Sequence, residues 1–337
     1  MEGVPRISKI AAQVMKRYQF KTFSVGVSLP TGIQEREDEL RSNLRLKGKE
    51  TIKTQMSKLI AAHISEELHK RVDKFKPDLT LLILPKTGEV AISSRPVFYY
   101  GKYTKPRGIS QKKEPCVVCN GAGCNKCDKT GFETRPSVEK LLHRALSCRS
   151  ESDKITFTWL GSEDKESKVF SPGRPFVAEI KNPVRRVLPR RLAVHEGRHQ
   201  VLVSEGKVLP AKPVKLSSFR FKTEILATAA SKVAPETSKL LHDAFNRREV
   251  RFERPHDRPT SKMVYRVDAI VHGRKLVINA ELDGGLPIKR FISGELVSPS
   301  VSEVLKTEVR CRRFDIRGVT ETGKIEFGKV ARVSKEN

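Results

Sequence analysis

Four of the chain's six cysteines lie in one short stretch, Cys116-Val117-Val118-Cys119-Asn120-Gly121-Ala122-Gly123-Cys124-Asn125-Lys126-Cys127. They form two C-x-x-C pairs, and each such turn presents two sulfur atoms to one metal ion. The glycines at 121 and 123 let the chain fold back so that the second pair completes a tetrahedral site. Four thiolates leave no open coordination position, so the stretch predicts a structural zinc site with the ligands Cys116, Cys119, Cys124 and Cys127. Two disulfides or an iron–sulfur cluster are the alternatives.

The residues that precede this stretch have an α/β pattern. Apolar residues recur at helical spacing in 6–18 and 50–72, which predicts two amphipathic helices. Alternation over Phe20–Leu29 ends at a Pro-Thr-Gly turn and predicts a strand. The apolar run Leu79–Leu84, a Pro-Lys-Thr-Gly turn and Val90–Ile92 predict a hairpin.

The residues that follow the cysteine stretch are rich in strand patterns. The predicted strands are 155–159, 176–180, 200–203, 219–226, 263–271, 275–282 and 309–319. The predicted helices are 137–146, 235–245, 288–294 and 301–306. Mostly antiparallel strands with interspersed helices indicate an α+β fold, and this is the fold class that we predict for the chain.

The chain is strongly basic along its whole length. Its 66 lysines and arginines outnumber 39 acidic residues and give a formal net charge of +27. The charged surfaces of thermophilic proteins balance lysine with glutamate, whereas this chain does not. The excess therefore favours a polyanionic partner, and nucleic acid above all.

Membranes and the secretory pathway are not indicated by the sequence. The chain has no apolar run of about 18 residues, and its N-terminal residues lack the apolar core of a signal peptide. The cysteines are few and clustered, which favours metal ligation in a reducing compartment. We therefore expect a cytoplasmic protein without membrane contact.

Residues 99–115 combine aromatic and basic side chains. Rings can stack on unpaired bases while cations meet phosphates, so this composition is typical of a surface that binds single-stranded or looped RNA. An exposed linker with a few packed tyrosines is the alternative. The predicted RNA-binding residues are Tyr100, Lys102, Tyr103, Lys105 and Arg107.

An acidic turn follows the predicted strand 155–159. It reads Gly161-Ser162-Glu163-Asp164, and Gly173-Arg174-Pro175-Phe176 leads into the next strand. An aspartate beside a glycine turn at the end of a strand can be held in a cleft, and Arg174 can border the same cleft. The simplest alternative is an ordinary surface turn.

These two motifs, taken with others in order along the chain, resemble a known family. The further matches are Tyr100-Gly101-Lys102-Tyr103, Arg107-Gly108-Ile109, the cysteine stretch, Gly285-Leu286-Pro287-Ile288-Lys289 and Pro299-Ser300-Val301-Ser302-Glu303. The family is that of the archaeal and eukaryotic pseudouridine synthases that modify tRNA positions 54 and 55. The resemblance extends over nearly the whole chain.

The resemblance implies an activity and a set of site residues. Members isomerise uridine to pseudouridine without an organic cofactor, after the target nucleotide has left its stack. Asp164 matches the catalytic aspartate, and Lys289 matches the basic residue that pairs with it. Phe221 matches the position of a tyrosine that stacks on the uracil. The resemblance also implies that Arg174 holds the flipped nucleotide or its phosphate.

The resemblance further implies that the chain contains two functional domains. Residues 1–135, including the zinc site, correspond to a THUMP-like accessory domain that binds tRNA. Residues 136–337 correspond to the pseudouridine synthase domain. The expected partner is tRNA, and no obligatory protein partner is expected.

Several positions depart from the family pattern. Phe221 lacks the hydroxyl of the usual tyrosine, and Ser162 replaces an arginine. Leu286-Pro287 replaces a more common Thr-Tyr, and Arg251 to Lys262 matches the family's RNA-gripping loop only loosely. Modification of position 54, of position 55 or of both is therefore left open.

Three rival functions differ in what they require. A catalytically inactive tRNA-binding or folding protein on the same scaffold would not depend on Asp164. A tRNA methyltransferase would need a glycine-rich cofactor turn after a strand, and the sequence has none. A zinc-ribbon translation factor would leave the acidic turn and the Ile288-Lys289 motif without a role.

Overall fold

The computed structural model describes residues 3–45, 48–215, 218–253 and 259–327. By their contacts these residues form two compact units. The first comprises Met1–Val97, Leu146–Ile155 and Glu179–Leu188, and the second comprises Phe98–Ala145, Thr156–Ala178 and Pro189–Asn337.

The first unit is a small α/β layer structure. Its helices are α1 (Gly3–Met15), α2 (Thr31–Asn43) and α3 (Ile52–Leu68), and its strands are β1 (Thr22–Val27), β2 (Arg71–Val72), β3 (Leu79–Leu84) and β4 (Glu89–Ser94). The described strands form one sheet in the order β2-β1-β3-β4. Strand β1 is parallel to β2 and β3, and β3 and β4 form an antiparallel hairpin.

The helices α1 and α3 cover this sheet with apolar side chains. Ala11 of α1, Ile60 and Ile64 of α3, and Phe23 and Leu81 of the sheet belong to one buried cluster. The helix α2 was not predicted because it buries no side chain, so its sequence has no apolar period to detect.

The second unit is built on a large, mostly antiparallel sheet. Its strands are β5 (Val97–Lys105), β6 (Ile155–Trp159), β7 (Val169–Ile180), β8 (Leu192–Glu196), β9 (His199–Leu209), β11 (Phe219–Ala229), β12 (Arg248–Phe252), β13 (Thr260–His272), β14 (Lys275–Asp283), β15 (Val297–Ser298) and β16 (Val309–Glu321). The order is β15-β12-β13-β14-β11-β16-β7-β5-β9-β8, with β6 paired to β7. The short strands β10 (Pro213–Lys215) and β17 (Glu326–Phe327) form a separate pair.

The remaining helices lie after the cysteine stretch. Among the described residues they are α4 (Val138–Ser150), α5 (Thr237–Phe245), α6 (Ile288–Ser293) and α7 (Val301–Leu305), and a 3-10 turn spans Asn125–Cys127. Helix α6 follows strand β14 after the turn 284–287, and Gly294 ends the helix in the left-handed conformation that favours glycine.

The centre of the sheet, β14-β11-β16, determines which side chains reach the candidate site. Inward and outward residues alternate along β11, which is why the sequence predicted it. In this register Phe221 of β11 lies opposite Leu282 of β14 and Val319 of β16. Phe221 and Leu282 therefore share one face near the end of β14, just before α6.

The predicted α+β fold with mostly antiparallel strands is confirmed, and the predicted helices and strands are present with bounds shifted by a few residues. Strand β5 was not predicted, because it is buried on both faces and does not alternate. Within the chain, β5 and the cysteine stretch pack as part of the second unit. The functional division at residue 135 stays a prediction.

None of the described helices has the length and apolar character that crossing a bilayer requires.

Candidate active site and metal centre

A cavity of about 740 Å³ opens in the second unit at the end of β14. Its walls come from the segment after β6, from β11, and from the turn between β14 and α6. The residues that matter here are Trp159, Asp164, Arg174, Phe221, Leu282 and Lys289. Four residues to which the family resemblance gives roles in one reaction thus line the same cavity: Asp164, Arg174, Phe221 and Lys289.

Asp164 and Lys289 form an ion pair on the wall of this cavity. The Lys289 Nζ lies 2.8 Å from Asp164 Oδ2, and the side chains are 57% and 37% exposed, respectively. Lys289 points outward because its neighbours Ile288 and Phe291 anchor α6 in the core. The hydrogen bond to Asp164 raises the pKa of Lys289, so the lysine is positively charged at neutral pH.

Glu163, the residue before Asp164, points the opposite way into the protein. Its side chain is fully buried and bonds Arg174 Nη1 at 2.6 Å. The Tyr103 hydroxyl donates to Glu163 Oε1, and Gln111 Nε2 donates to Glu163 Oε2 at 3.2 Å. Burial and the adjacent Glu163 carboxylate raise the pKa of Tyr103 well above its usual range, so the phenol keeps its proton. Glu163 therefore anchors the segment that presents Asp164.

Arg174 was expected to contact the nucleotide, but its guanidinium group contacts the protein. Its side chain is 5% exposed, and its nitrogens are engaged by the protein itself. Nε and Nη2 donate to the Leu160 carbonyl at 2.9 and 2.8 Å, and Nη1 also donates to the Ser162 carbonyl at 3.2 Å. Because its donors are used in this way, Arg174 holds the backbone on both sides of Gly161.

Gly161 is required by this arrangement. It has a φ of +78°, in the left-handed region that side chains disfavour. A Cβ at this position would also collide with the Arg174 guanidinium. The glycine before the acidic turn thus lets the chain pass close over the arginine.

Phe221 lies in the same cavity but is largely covered. It is 4% exposed, and the Arg174 guanidinium carbon lies 5.1 Å from the centre of its ring. A Cβ on Gly284 would lie 2.7 Å from the ring, so this glycine allows the turn after β14 to cover Phe221. Stacking of Phe221 on a uracil stays a prediction.

The residues predicted to bind RNA are mostly in the interior. Tyr100 and Tyr103 are buried in β5, so their rings cannot stack on a base in this structure. Lys102 is buried and pairs with Glu205 at 2.7 Å, and Lys105 is buried beneath the Asp164 segment. Arg107 is partly exposed and pairs with the buried Asp315. Much of the aromatic and basic pattern that suggested an RNA surface belongs to β5, a buried strand between β7 and β9.

The structure places two residues that the sequence did not assign, Glu163 and Gln111, together with Tyr103, for which the sequence predicted a different role. Glu163, Gln111 and Tyr103 form the buried network behind Asp164. The available signal for Glu163 was its position next to Asp164 in the acidic turn. A single sequence does not show which of two adjacent carboxylates is buried.

The four clustered cysteines converge as predicted. Their sulfur atoms lie within 4.8 Å of one another, so they could hold a metal ion. The separations of Cys116–Cys124, Cys119–Cys127 and Cys124–Cys127 are 3.9, 3.8 and 3.8 Å. A tetrahedron with metal–sulfur bonds of about 2.3 Å has edges of about 3.8 Å, so the donor set fits zinc. These separations are far longer than a disulfide bond of about 2.05 Å.

Backbone donors favour thiolates at this centre. The amides of Gly123 and Cys124 donate to Cys119 Sγ and Cys127 Sγ, both at 3.2 Å. Hydrogen bonding from the Cys124 amide lowers the pKa of Cys127 to about 6. Such donors around the ligands are typical of tetrahedral thiolate sites.

Comparison with known proteins adds family-level findings. The model of the archaeal Pus10 THUMP domain matches residues 7–83, and the model of the Pus10 C-terminal region matches residues 98–216. A tRNA pseudouridine synthase Pus10 from Cenarchaeum symbiosum is 32% identical over 309 residues, which cover 90% of this chain and 75% of that protein.

The chain belongs to the Pus10 family.

Other Pus10 proteins match over similar spans. The tRNA pseudouridine synthases Pus10 of Nitrosopumilus maritimus and Methanocaldococcus jannaschii are each 30% identical. The matches cover 90% of this chain and 79% of the first protein, and 94% of this chain and 73% of the second. The resemblance seen in the motifs is thereby confirmed, as is the THUMP domain.

Among solved structures, the crystal structure of a Cbf5-Nop10-Gar1 complex contains a chain that matches with a TM-score of 0.33 and 10% identity. The match covers 64% of this chain and 47% of the other. This likeness is too weak to support an argument. In contrast, the Pus10 C-terminal match includes both the cysteine centre and Asp164.

Proposed function

We propose that this protein converts uridine to pseudouridine in the T-loop of tRNA, at position 54, position 55 or both. The observation that carries the proposal is the Asp164–Lys289 pair, held at 2.8 Å on the wall of a 740 Å³ cavity. Membership of the Pus10 family supplies the reaction class. Because a uridine must leave its stack to reach such a cavity, the reaction includes base flipping.

The proposed chemistry uses the Asp164 carboxylate as the nucleophile. It attacks the target nucleotide at the sugar or at the base, and the bond between uracil N1 and the ribose breaks. The uracil turns and C5 joins the ribose in place of N1. The bond between Asp164 and the nucleotide breaks, which regenerates the carboxylate, while the C5 proton leaves to solvent and N1 takes up a proton. Lys289 aims the carboxylate, and Phe221 packs against the base.

The direct test is a reaction with unmodified tRNA transcript. We expect pseudouridine in the T-loop, mapped by a base-specific chemical method, because the proposed chemistry requires only the Asp164–Lys289 pair in its cavity. Transcripts with cytidine at position 54, at position 55 or at both positions identify the target. Pseudouridine outside the T-loop, or none at all with every transcript, would contradict the proposal.

The proposed partner is tRNA, and the net charge of +27 supports it. Many lysine and arginine contacts to phosphate would make binding fall steeply with added salt. We further propose that residues 1–135 contribute tRNA binding, that residues 136–337 contribute catalysis, and that the protein acts in the cytoplasm. Arg174 is assigned to positioning Glu163 and Gly161, and is not assigned to contact with the nucleotide.

We propose a structural zinc ion for Cys116, Cys119, Cys124 and Cys127. The tetrahedral separations of their sulfur atoms support this assignment. With four protein ligands the ion would stabilise the fold of this segment and would take no part in the chemistry.

Elemental analysis of the purified protein is expected to find about one zinc per chain. Cys127→Ser should lose most of the metal, because it removes one of four ligands. Cys148→Ser is the matched control, since this exposed cysteine lies outside the cluster and its loss should leave the zinc content unchanged. Stoichiometric iron with visible absorbance, in place of zinc, would refute the assignment.

A further inference from the structure

Lys105 is a buried cation whose bonding is unusual for a lysine. It lies at the end of β5 and is 2% exposed. Its ammonium donates to three main-chain carbonyls, those of Ile109 at 2.8 Å, Asp164 at 2.8 Å and Ser167 at 2.6 Å. All three protons of the ammonium are thereby used, and each acceptor is an uncharged carbonyl.

Two of these carbonyls belong to the turn that carries Asp164. The Asp164 carbonyl also accepts the Ser167 amide at 3.1 Å, so residues 164–167 form a closed turn. Lys105 bonds both ends of that turn at once. A further bond from the Gly108 amide to the Lys165 carbonyl, at 2.8 Å, ties the same two chain segments together.

We propose that Lys105 is a positioning residue for the reaction, whose protonated side chain holds the turn 164–167 and so aims the Asp164 carboxylate at the cavity. The inference rests on the proposed role of Asp164. A neutral amine has only two protons and would turn a lone pair toward one of the three carbonyl oxygens, so that contact would become repulsive. The charged form alone satisfies all three.

The net effect of its surroundings is to bring the pKa of Lys105 closer to neutral pH. Burial lowers its pKa to about 8, although the nearby carboxylates Glu163, Asp164 and Glu166 favour the charged form. Arg174, the other facing cation, acts in the same direction as burial. The turn should therefore be held at pH 7 and released progressively above pH 8.

As pH rises above about 8, the contribution of Lys105 to the stability of the folded state should increase while the rate of pseudouridine formation falls. The pKa in the folded protein is below the ordinary lysine value of 10.5, so between these two values the unfolded chain binds more protons. This group therefore makes the folded state more stable as pH rises through that window. A loss of activity there cannot be assigned to unfolding caused by Lys105.

The first test is the pH dependence of the single-turnover rate with saturating enzyme and unmodified tRNA transcript. For the wild type we expect the rate to fall about tenfold between pH 7.5 and pH 9, with tRNA affinity unchanged. Lys105→Arg keeps its charge over this range and should lack this fall. Lys105→Met should be slow at every pH and also lack it. Equal profiles for the wild type and both variants would overturn the proposal.

The second test does not depend on turnover. Hydrogen–deuterium exchange of the peptide 161–168, measured on the free protein at pH 7.5, should be at least about tenfold faster in Lys105→Met. Lys102→Met is the matched control, because Lys102 is a buried lysine of the same strand that pairs with Glu205. It should leave exchange in this peptide unchanged.

The two tests separate the possible failures. Unchanged exchange in Lys105→Met would show that Lys105 does not hold the turn. Faster exchange, together with no pseudouridine from the wild type at any pH, would refute the proposed activity while supporting the role of Lys105 in the turn.

Discussion

Replacing Asp164 with asparagine is expected to abolish pseudouridine formation, with a loss on the order of 10⁴-fold or more in the single-turnover rate. The amide has nearly the shape of the carboxylate but is not a nucleophile. It also leaves Lys289, now 2.8 Å from the carboxylate, without its charge partner. The measurement is pseudouridine yield against time with unmodified transcript at fixed enzyme excess.

The same variant should fold and bind tRNA almost normally. Asp164 is 37% exposed, and an ion pair this accessible contributes about 1 kcal/mol or less to stability. Thermal unfolding and tRNA affinity are therefore the controls. Lys289→Gln should be less severe, because the carboxylate survives and only its aim and environment change. Pseudouridine formation within tenfold of the wild type by Asp164→Asn would contradict the proposed role of Asp164 as the nucleophile.

The proposed pair of Asp164 and Lys289 could be named from the sequence because each residue lies in a motif. Asp164 follows a glycine turn at the end of a strand, and Lys289 opens a helix after a second turn. Their distance could not be predicted, since it depends on how the strands from β14 through β11, β16 and β7 to β6 pair with one another. No local sequence pattern encodes such pairings between distant strands.

The prediction that the aromatic and basic residues of β5 bind RNA failed for a different reason. In β5 charged and aromatic residues are buried because the sheet and the Asp164 segment supply their partners. Composition alone makes Tyr103 and Lys105 resemble an exposed RNA surface, since lysine is rarely buried unless it is paired. Only the three-dimensional neighbours show that both residues lie beneath the Asp164 segment.

Replacing Arg174 with methionine is expected to destabilise the protein by about 3–5 kcal/mol and to eliminate activity. It leaves the fully buried Glu163 carboxylate without its cation and frees the Leu160 and Ser162 carbonyls. Urea unfolding can be followed by Trp159, the chain's single tryptophan, whose ring lies 5.5 Å from that of Tyr103. Arg317→Met is the control, because the exposed Arg317–Glu224 pair should be worth less than about 1 kcal/mol.

A double variant tests whether the buried charge is the cause. Arg174→Met combined with Glu163→Gln removes both charges, so it should regain a large part of the stability lost by Arg174→Met alone. Activity should not return, because the glutamine cannot rebuild the bonds that Arg174 makes to Leu160 and Ser162. If the double variant were as unstable as the sum of the two single variants, the lost packing and carbonyl bonds would carry the effect, and Glu163 would not need Arg174 as its counter-ion.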